Sequence, residues 1–235
     1  VAVNEGGEAF VVGWLTTNEQ SPSTRFVPEP FWYSHAFLAK LDPEGEITWL
    51  RRIVLDADQV ASNVILSADG EPVVTGWTAS EFPQGGQVHV KSGFVAWFND
   101  KGQLQRIKRD LDPYAMVPFP LAGRPDGGLF VGGMLLGPFE RDFEPGSATH
   151  LSLNAALASL DADGTSEWAR LFGNGSGYWA YDVELTPDLG VVMVGSGNGD
   201  VGGDHIGASD VFVISYDSVG NRRWANRFGT KLFDG

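Results

Sequence analysis

The chain has 235 residues, 43% of them apolar, which allows one large domain or two small ones and excludes an intrinsically disordered protein. Acidic residues outnumber basic ones by 30 to 16, so the formal net charge of −14 argues against a nucleic-acid partner. Without cysteine, the chain can form no disulfide, no Cys-ligated metal centre and no thiol nucleophile. No apolar run reaches membrane-spanning length, and a first residue other than Met indicates a processed chain or a piece of a longer one.

Two short motifs recur in step along the chain. One occupies residues 35–45, 92–102, 154–164 and 210–220 and ends each time in a glycine, and these glycines are separated by 57, 62 and 56 residues. The other is rich in valine and ends in Gly13, Gly76, Gly133 and Gly195. Interleaved motifs that keep step predict four repeats within a single domain, approximately 1–58, 59–114, 115–177 and 178–235.

Each repeat predicts four short strands in chain order. The first strand ends in a segment such as 63–67 or 182–186, and a tight turn rich in Asp and Gly follows it. The second strand is rich in β-branched residues, and the third leads into another turn that ends in glycine. The fourth strands are residues 47–53, 104–109, 166–172 and 221–228. No stretch of helical length carries an uninterrupted apolar stripe, so the chain is predicted to be all-β.

Charge and hydropathy indicate how the strands are arranged. The second and third strands are apolar at nearly every residue, so both of their faces should be covered. The fourth strands carry nine of the 16 basic residues, and a basic strand is typical of a sheet edge that resists pairing with another molecule. We therefore expect a β-propeller of four four-stranded antiparallel blades, with the fourth strand at the outer edge and the first at the hub.

The third and fourth strands resemble a known repeat. Residues 210–220, followed by Trp224 and then Phe228-Gly229, are similar to the bacterial β-propeller repeat family called SBBP. His35 and Asn154 replace the aspartate of this pattern, and Arg106 replaces its tryptophan. The resemblance covers essentially the whole chain. It implies a propeller of an exported or surface protein, with no fixed catalytic residue. Pyrroloquinoline-quinone propellers have similar strands, but their calcium-ligating set is not found in this sequence.

Four repeats leave the closure of the propeller open. Joining the two ends of the chain would nearly regenerate a normal connection between repeats, which fits a closed ring of four blades. The slightly favoured alternative is part of a larger propeller. Its uncovered apolar blade faces would then promote self-association.

The long loops between second and third strands are the predicted place for ligand contacts, because function concentrates in loops on rigid scaffolds. These loops are residues 15–34, 78–91, 135–153 and 198–209, and a neighbouring loop adds Trp179 to the same rim. Aromatic and histidine side chains there would contact a protein or a glycan. The ligand-binding candidates are Phe31, Trp32, Tyr33, Phe82, His89, Phe143, His150 and Trp179.

Calcium is the one cofactor that the sequence leaves open. Asp200, Asp204 and Asp210 belong to a glycine-rich segment whose carboxylates would suit this ion, although regular ligand spacing and a closing glutamate are missing. The four histidines fall at different positions of their repeats, so we interpret them as separate side chains rather than a ring of metal ligands.

These features predict a non-catalytic binding or assembly scaffold of a secreted, periplasmic or cell-surface bacterial protein, with its ligand at the long-loop face. The chain has no nucleophile elbow, zinc-protease motif or phosphate loop, so catalysis is not expected. Two alternatives stay open. One is a lectin or a carbohydrate-active enzyme on the same frame, in which two carboxylates would face each other across a cleft. The other is a purely structural module of a longer chain.

Overall fold

The structure, a computed structural model, describes residues 1–17, 33–55, 58–80, 89–109, 116–135, 154–172, 177–198, 201, 204 and 206–232. Within these residues every regular element is a β-strand. In the same ranges no helix is long and apolar enough to cross a lipid bilayer. The strands form four four-stranded antiparallel sheets, which confirms this part of the predicted fold. Two compact units contain two sheets each.

Unit 1 spans Val1–Arg109. Its sheet 1 consists, in spatial order, of β1 (Ala2–Val3), β2 (Ala9–Thr17), β3 (Tyr33–Leu41) and β4 (Ile47–Ile53). Its sheet 2 consists of β5 (Asp58–Leu66), β6 (Pro72–Ser80), β7 (His89–Phe98) and β8 (Leu104–Arg109). Chain order equals spatial order, so each sheet is an antiparallel meander.

Unit 2 spans Asp110–Gly235 and repeats this arrangement. Its sheet 3 consists of β9 (Met116–Gly123), β10 (Leu129–Leu135), β11 (Asn154–Leu160) and β12 (Ser166–Phe172). Its sheet 4 consists of β13 (Trp179–Leu185), β14 (Val191–Gly197), β15 (Asp210–Tyr216) and β16 (Arg222–Phe228).

Within each unit the second sheet packs on the first through its first strand. In unit 1, β5 lies against β2 and β3, and in unit 2, β13 lies against β9 and β10. The side chains between the sheets are fully buried apolar and aromatic groups, such as Phe10 and Phe94 in unit 1 and Phe130 and Phe212 in unit 2. Among the middle strands, β11 is buried at every position, as its apolar sequence predicts, whereas Trp14 and Leu15 of β2 are exposed.

The turns between third and fourth strands follow one pattern. In the first of them, the amide of Gly45 donates to the carbonyl of Asp42 at 3.0 Å, and the Asp42 carboxylate accepts the amide of Glu46 at 2.8 Å. Gly45 has a φ of +88°, in the left-handed region that favours glycine. This local pairing explains why the sequence keeps Asp or Asn three residues before each of these glycines.

The fourth strand lies at an edge of every sheet, as predicted. Most of β4 and β16 is exposed. Arg227 departs furthest from the expectation of a solvent-exposed basic edge, because its side chain is only 2% exposed and pairs with Asp210. Burial at this point leaves the outward-facing arginines of the strand to protect the edge.

Candidate assembly site

In unit 1, the fourth strand of sheet 1 contacts the last turn of sheet 2. Trp49 and Arg51 are two residues apart on β4, so they project from the same face of the strand. The Arg51 guanidinium lies 5.4 Å from the centroid of the Trp49 ring, and its Nη2 atom donates to the carbonyl of Lys101 at 3.3 Å. Lys101 belongs to the turn of residues 99–102, which joins the third and fourth strands of sheet 2.

The same contact recurs in unit 2. Trp168 and Arg170 occupy equivalent positions on β12, again with 5.4 Å between the guanidinium and the ring centroid. Trp168 Nε1 donates to the carbonyl of Ser218 at 3.0 Å, and Arg170 Nε donates to the carbonyl of Gly220 at 2.8 Å. A tryptophan and an arginine of one sheet therefore hold the turn of the next sheet. We call this contact the turn clamp.

Close approach in the turn clamp requires a glycine. A Cβ atom added to Gly102 would lie 2.7 Å from the Trp49 ring, and one added to Gly220 would lie 2.7 Å from the Trp168 ring. Both separations are shorter than side chains tolerate, and both glycines have a positive φ. Glycine at this position thus allows the backbone conformation of the turn and leaves room for the tryptophan ring of the preceding sheet.

Two halves of a turn clamp are open to solvent. Trp224 on β16 pairs with the third strand of its sheet at the same position as Trp49 and Trp168 do in theirs, yet it is 43% exposed. Two residues later, Asn226 replaces the arginine that follows the other two tryptophans. At the other half, a Cβ atom on Gly45 would meet nothing within 4 Å. In the part of the chain that the structure describes, Trp224 is thus a clamp tryptophan left exposed, and the turn at Gly45 has no atom packed against its glycine.

The two open halves carry opposite charges. Arg222 and Arg223 flank Trp224, whereas Asp42, Glu44 and Glu46 surround Gly45. Arg223 already pairs with Asp188 at 2.6 Å, so part of the basic charge is balanced within sheet 4.

The fourth strand of sheet 2 departs from the pattern. It has Arg106 at the position of the clamp tryptophan, and the guanidinium lies 3.9 Å from the ring centroid of Trp97, which is its cross-strand neighbour. Aromatic and cationic side chains have exchanged places between the two strands. The stacking contact is retained within sheet 2 without a tryptophan on β8.

A groove of about 560 Å³ borders the turn clamp of unit 1. Its walls include Glu8, Lys40, Trp49 and Arg51, and Lys40 Nζ lies 2.8 Å from the Glu8 carboxylate. The hydrogen bond from Lys40 holds the pKa of Glu8 below its usual range. The groove is therefore formed in part by the two side chains of the clamp, Trp49 and Arg51.

Most of the ligand contacts predicted from sequence lie outside the described residues. These are Phe31, Trp32, Phe82, Phe143 and His150. Tyr33 and His89 are described only as the first residues of β3 and β7. Trp179, predicted in a loop, instead begins β13 and is 39% exposed, while the adjacent Tyr178 is buried against Phe212. The predicted ligand surface at the long loops stays a prediction.

Of the three aspartates predicted to bind calcium, one lies outside the described residues, one is exposed and one is buried. Asp200 lies outside the described residues, and Asp204 is exposed. Asp210 begins β15 and is fully buried, where one carboxylate oxygen accepts hydrogen bonds from Arg227 Nη1 at 2.7 Å and from the Ile206 amide at 2.9 Å. In the described ranges, no group of three or more histidine or acidic side chains is arranged to hold a metal ion.

Asp210 is held in its charged form. Burial alone would raise the pKa of this carboxyl, but the amide of Ile206 and the guanidinium of Arg227 outweigh burial and bring the pKa below its ordinary value. The described hydrogen bonds of Asp210 all come from within the fold, so its first role is to fix the end of β16 to the start of β15.

Acid should destabilise the folded chain. The pKa values of Asp188, Asp217 and Glu8 are lowered by hydrogen bonds from Arg223, from the Asn221 amide and from Lys40, respectively. A carboxyl with a lowered folded-state pKa stabilises the fold above its unfolded pKa of about 4 and loses that contribution as the pH falls through the folded-state value. We expect urea unfolding to give a constant free energy between about pH 5 and 7 and a lower one at pH 3. A higher free energy at pH 3 would contradict these charge assignments.

No protein-family model matches the chain, and no curated protein is significantly similar to it. A solved structure with detectable similarity is that of a protein of unknown function from Bacteroides caccae. The two chains share 12% identity over 98% of this chain and 81% of the other, with a TM-score of 0.37. A score of this size does not establish a shared fold, and the resemblance to SBBP repeats stays a prediction.

The turn clamp is the part of the site that the sequence did not reveal. The arginines of the fourth strands were interpreted as edge protection alone, although Arg51 and Arg170 bind the turn of the next sheet. The sequence does contain a pattern that could have indicated this contact. Trp-x-Arg occurs in two repeats, and each arginine binds the carbonyl of a residue 50 positions later in the chain. That distance is close to one repeat length, which points to a contact between successive repeats.

Proposed function

We propose that the chain is a non-catalytic β-propeller scaffold whose role is assembly, and that it belongs to an exported or cell-surface bacterial protein. The observation that carries the proposal is the repeated turn clamp. Each clamp joins one sheet to the next, and equivalent residues on sheet 4 and sheet 1 present the two unused halves. Contacts of this kind, which each repeat makes only with its neighbours, are what hold radial and linear repeat proteins together.

The unused halves would bind each other. Trp224 would pack under the turn of residues 42–45, with Gly45 in the place that Gly102 and Gly220 take in the two formed clamps. The turn would come from the same chain in a closed ring of four blades or from a second copy, whereas in a larger propeller each half would contact a further repeat. A tryptophan that loses its exposed area in a well-packed contact is a common source of binding energy.

Crosslinking tests this proposal directly, because a chain without cysteine allows two thiols to be placed at will. Pro43→Cys and Asn226→Cys put one thiol in each half and leave Trp224 in place. With a short bismaleimide, we expect a crosslinked product that Trp224→Ala abolishes. Trp179→Ala is the matched control, because Trp179 is a similarly exposed tryptophan on the same sheet and should leave the yield unchanged.

The mass of the product distinguishes the two arrangements. A crosslinked monomer indicates a closed ring, and a crosslinked dimer indicates joined copies. Either result supports contact between the two halves, but only a dimer supports assembly with a second copy. The absence of a product, or a product that persists in Trp224→Ala, would overturn the contact.

Completing the open half should strengthen the contact. Asn226→Arg restores the residue that both formed clamps have at this position. We expect this variant, compared with Asn226→Gln, to shift the chain toward the associated or more heat-stable form, measured by light scattering and by thermal unfolding. The same result for both variants would show that arginine at this position adds nothing.

A further inference from the structure

The turn clamp of unit 1 is held by fewer hydrogen bonds than that of unit 2. In unit 2, Trp168 Nε1 and Arg170 Nε both donate to carbonyls of the turn, at 3.0 and 2.8 Å. In unit 1, the Arg51 guanidinium reaches the turn through Nη2 at 3.3 Å, and Trp49 Nε1 makes no hydrogen bond to a described residue. The Nε–H group of Arg51 likewise has no described acceptor. Two donors that are satisfied in unit 2 are therefore available to a ligand in unit 1.

Trp49 and Arg51 line the groove of unit 1. Its volume of about 560 Å³ is typical of a small-molecule site. Asp100 and Lys101, from the turn between β7 and β8, and Glu8, beside the turn before β2, also line it. The groove is thus built by short turns and not by the long loops where the sequence predicted ligand contacts.

Three cations and two acids line this groove. The cations are Lys40, Arg51 and Lys101, and the acids are Glu8 and Asp100. Glu8 pairs with Lys40 at 2.8 Å, whereas Arg51, Lys101 and Asp100 form no ion pair with a described residue. The lining therefore offers charged groups of both signs that the described fold leaves unused.

Lys40 can make further hydrogen bonds. Its side chain is 15% exposed, and its Nζ atom lies 5.4 Å from the centroid of the Phe10 ring. An ammonium group has three N–H donors, and among the described residues Glu8 accepts from it. The other donors of a largely covered ammonium need acceptors, which water or a ligand in the groove supplies.

The corresponding part of unit 2 balances its charges differently. Val219 replaces Lys101 before the turn glycine. The cation above the equivalent phenylalanine is Arg124, which is paired with both Asp126 and Glu167. Since unit 2 forms its clamp with shorter hydrogen bonds, an unpaired cation is not needed to hold the turn. The unpaired cations of the unit 1 groove are therefore available to a ligand, which should carry negative charge.

We propose that the groove of unit 1 binds an acidic saccharide, a ligand with one carboxylate and several hydroxyl groups on each sugar ring. The carboxylate accepts hydrogen bonds from Trp49 Nε1 and from the Arg51 guanidinium, and Lys101 adds positive charge beside it. The sugar hydroxyls donate to the carboxylates of Asp100 and Glu8. Such a ligand matches both signs of charge in the lining.

Simpler ligands match only part of this lining. A small anion such as sulfate would meet the cations, but it has no proton to donate to the two carboxylates, which would repel it. A neutral sugar would satisfy the carboxylates and leave the cations unmatched. A site with both kinds of group discriminates against ligands that lack either one. The inference concerns sheets 1 and 2 alone, so it stands whether or not Trp224 and the turn at Gly45 make contact.

Calorimetric titration of the full chain with the trimers of galacturonic acid and of mannuronic acid tests the inference. We expect saturable binding of at least one trimer at a stoichiometry of one. Two comparison compounds each lack half of the proposed chemistry. The methyl ester of the trimer keeps the sugar rings without their charge, and tricarballylate keeps the carboxylates without sugar rings. Each should bind about tenfold more weakly than the trimer or not at all.

Lys101→Ala tests the location of the site. The side chain of Lys101 is exposed, and the turn clamp uses only its carbonyl, so the clamp should persist in this variant. We expect trimer binding to weaken by about fivefold or more, and further in Lys101→Glu. Lys108→Ala is the matched control, because it removes the same charge from sheet 2 at a residue outside the groove lining. Equal melting temperatures of the variants would show that the fold is intact.

The indole N–H signals in nuclear magnetic resonance spectra give a second readout. Spectra of Trp49→Phe and Trp168→Phe assign the two signals. The trimer should shift the signal of Trp49 and leave that of Trp168, whose N–H is already bonded to the Ser218 carbonyl.

Four outcomes would overturn the inference. They are the absence of binding by either trimer, equally tight binding of the methyl ester or of tricarballylate, equal weakening by Lys101→Ala and Lys108→Ala, and binding that leaves the Trp49 signal unchanged.

Discussion

Replacing Asp210 by alanine is expected to lower the melting temperature of the chain by about 10 °C or more. The substitution leaves the Arg227 guanidinium buried without its counter-ion, since both side chains are at most 2% exposed. Removal of one partner from a buried ion pair is among the most destabilising single changes. The amides of Ile206 and Gly207 would lose their acceptor in the same step. Thermal unfolding followed by circular dichroism measures the effect.

The exposed ion pair of the same sheet provides the matched control. Asp188 and Arg223 are joined by a bond of 2.6 Å, but the side chain of Asp188 is 62% exposed. Water solvates the arginine that remains after Asp188→Ala, so the melting temperature should change little. Replacing both buried partners, Asp210→Leu with Arg227→Met, should recover much of the loss, because no buried charge then remains unpaired. Equal effects of Asp210→Ala and Asp188→Ala would contradict the burial of the pair.

The second large effect is expected at the turn clamp of unit 1, where Gly102→Ala should destabilise the chain far more than Gly45→Ala. Both glycines have a positive φ, which costs alanine about 1 kcal/mol. At Gly45 nothing lies within 4 Å of the new methyl group, so this cost is the whole effect when both glycines are compared in a Trp224→Ala background, where the proposed contact cannot form. At Gly102 the methyl group would meet Trp49 Cζ3 at 2.7 Å and Arg51 Cγ at 2.9 Å, and relieving the overlap should cost about 1–3 kcal/mol more.

A double-mutant cycle separates the two contributions. Trp49→Ala removes the ring that the new methyl group meets, so Gly102→Ala should cost less in that background than in the original chain. Free energies of unfolding from urea titrations give the four corners of the cycle. Additive effects of the two substitutions would show that Trp49 does not constrain residue 102.

The strand order was predictable because each turn and each strand has a local signature. Gly45 and Asp42 mark one turn by their own backbone chemistry, and the same signature recurs at each repeat. The partner of Arg51 could not be predicted in this way. The same sequence pattern fits an arginine that is exposed to solvent and one that is hydrogen-bonded to a neighbouring turn. The packing of sheet 2 on sheet 1 determines which of the two arrangements Arg51 adopts.

The pairing of Asp210 with Arg227 lies between these two cases. The repeat pattern places an acid at the start of β15 and an arginine near the end of β16, and the ladder sets Phe212 opposite Arg227. Because residues two apart on a strand share a face, this register is compatible with the ion pair, although from the sequence Asp210 was assigned to a calcium site and Arg227 to edge protection. Its burial was not predictable, because it depends on how residues 206–210 and 229–232 fold over the pair. The amide of Ala208 donates to the carbonyl of Leu232 at 3.1 Å in that cover.

The turn clamp has a direction, because the tryptophan always lies on the earlier sheet and the turn on the later one. Such a head-to-tail contact does not itself limit the number of sheets that it can join. The rotation from one sheet to the next determines whether a series of sheets closes into a ring or continues as a filament. A terminus must therefore be made by blocking a half. For the contact proposed above, Trp224→Ala would act as such a cap at one end, and a bulky residue in place of Gly45 would act as one at the other.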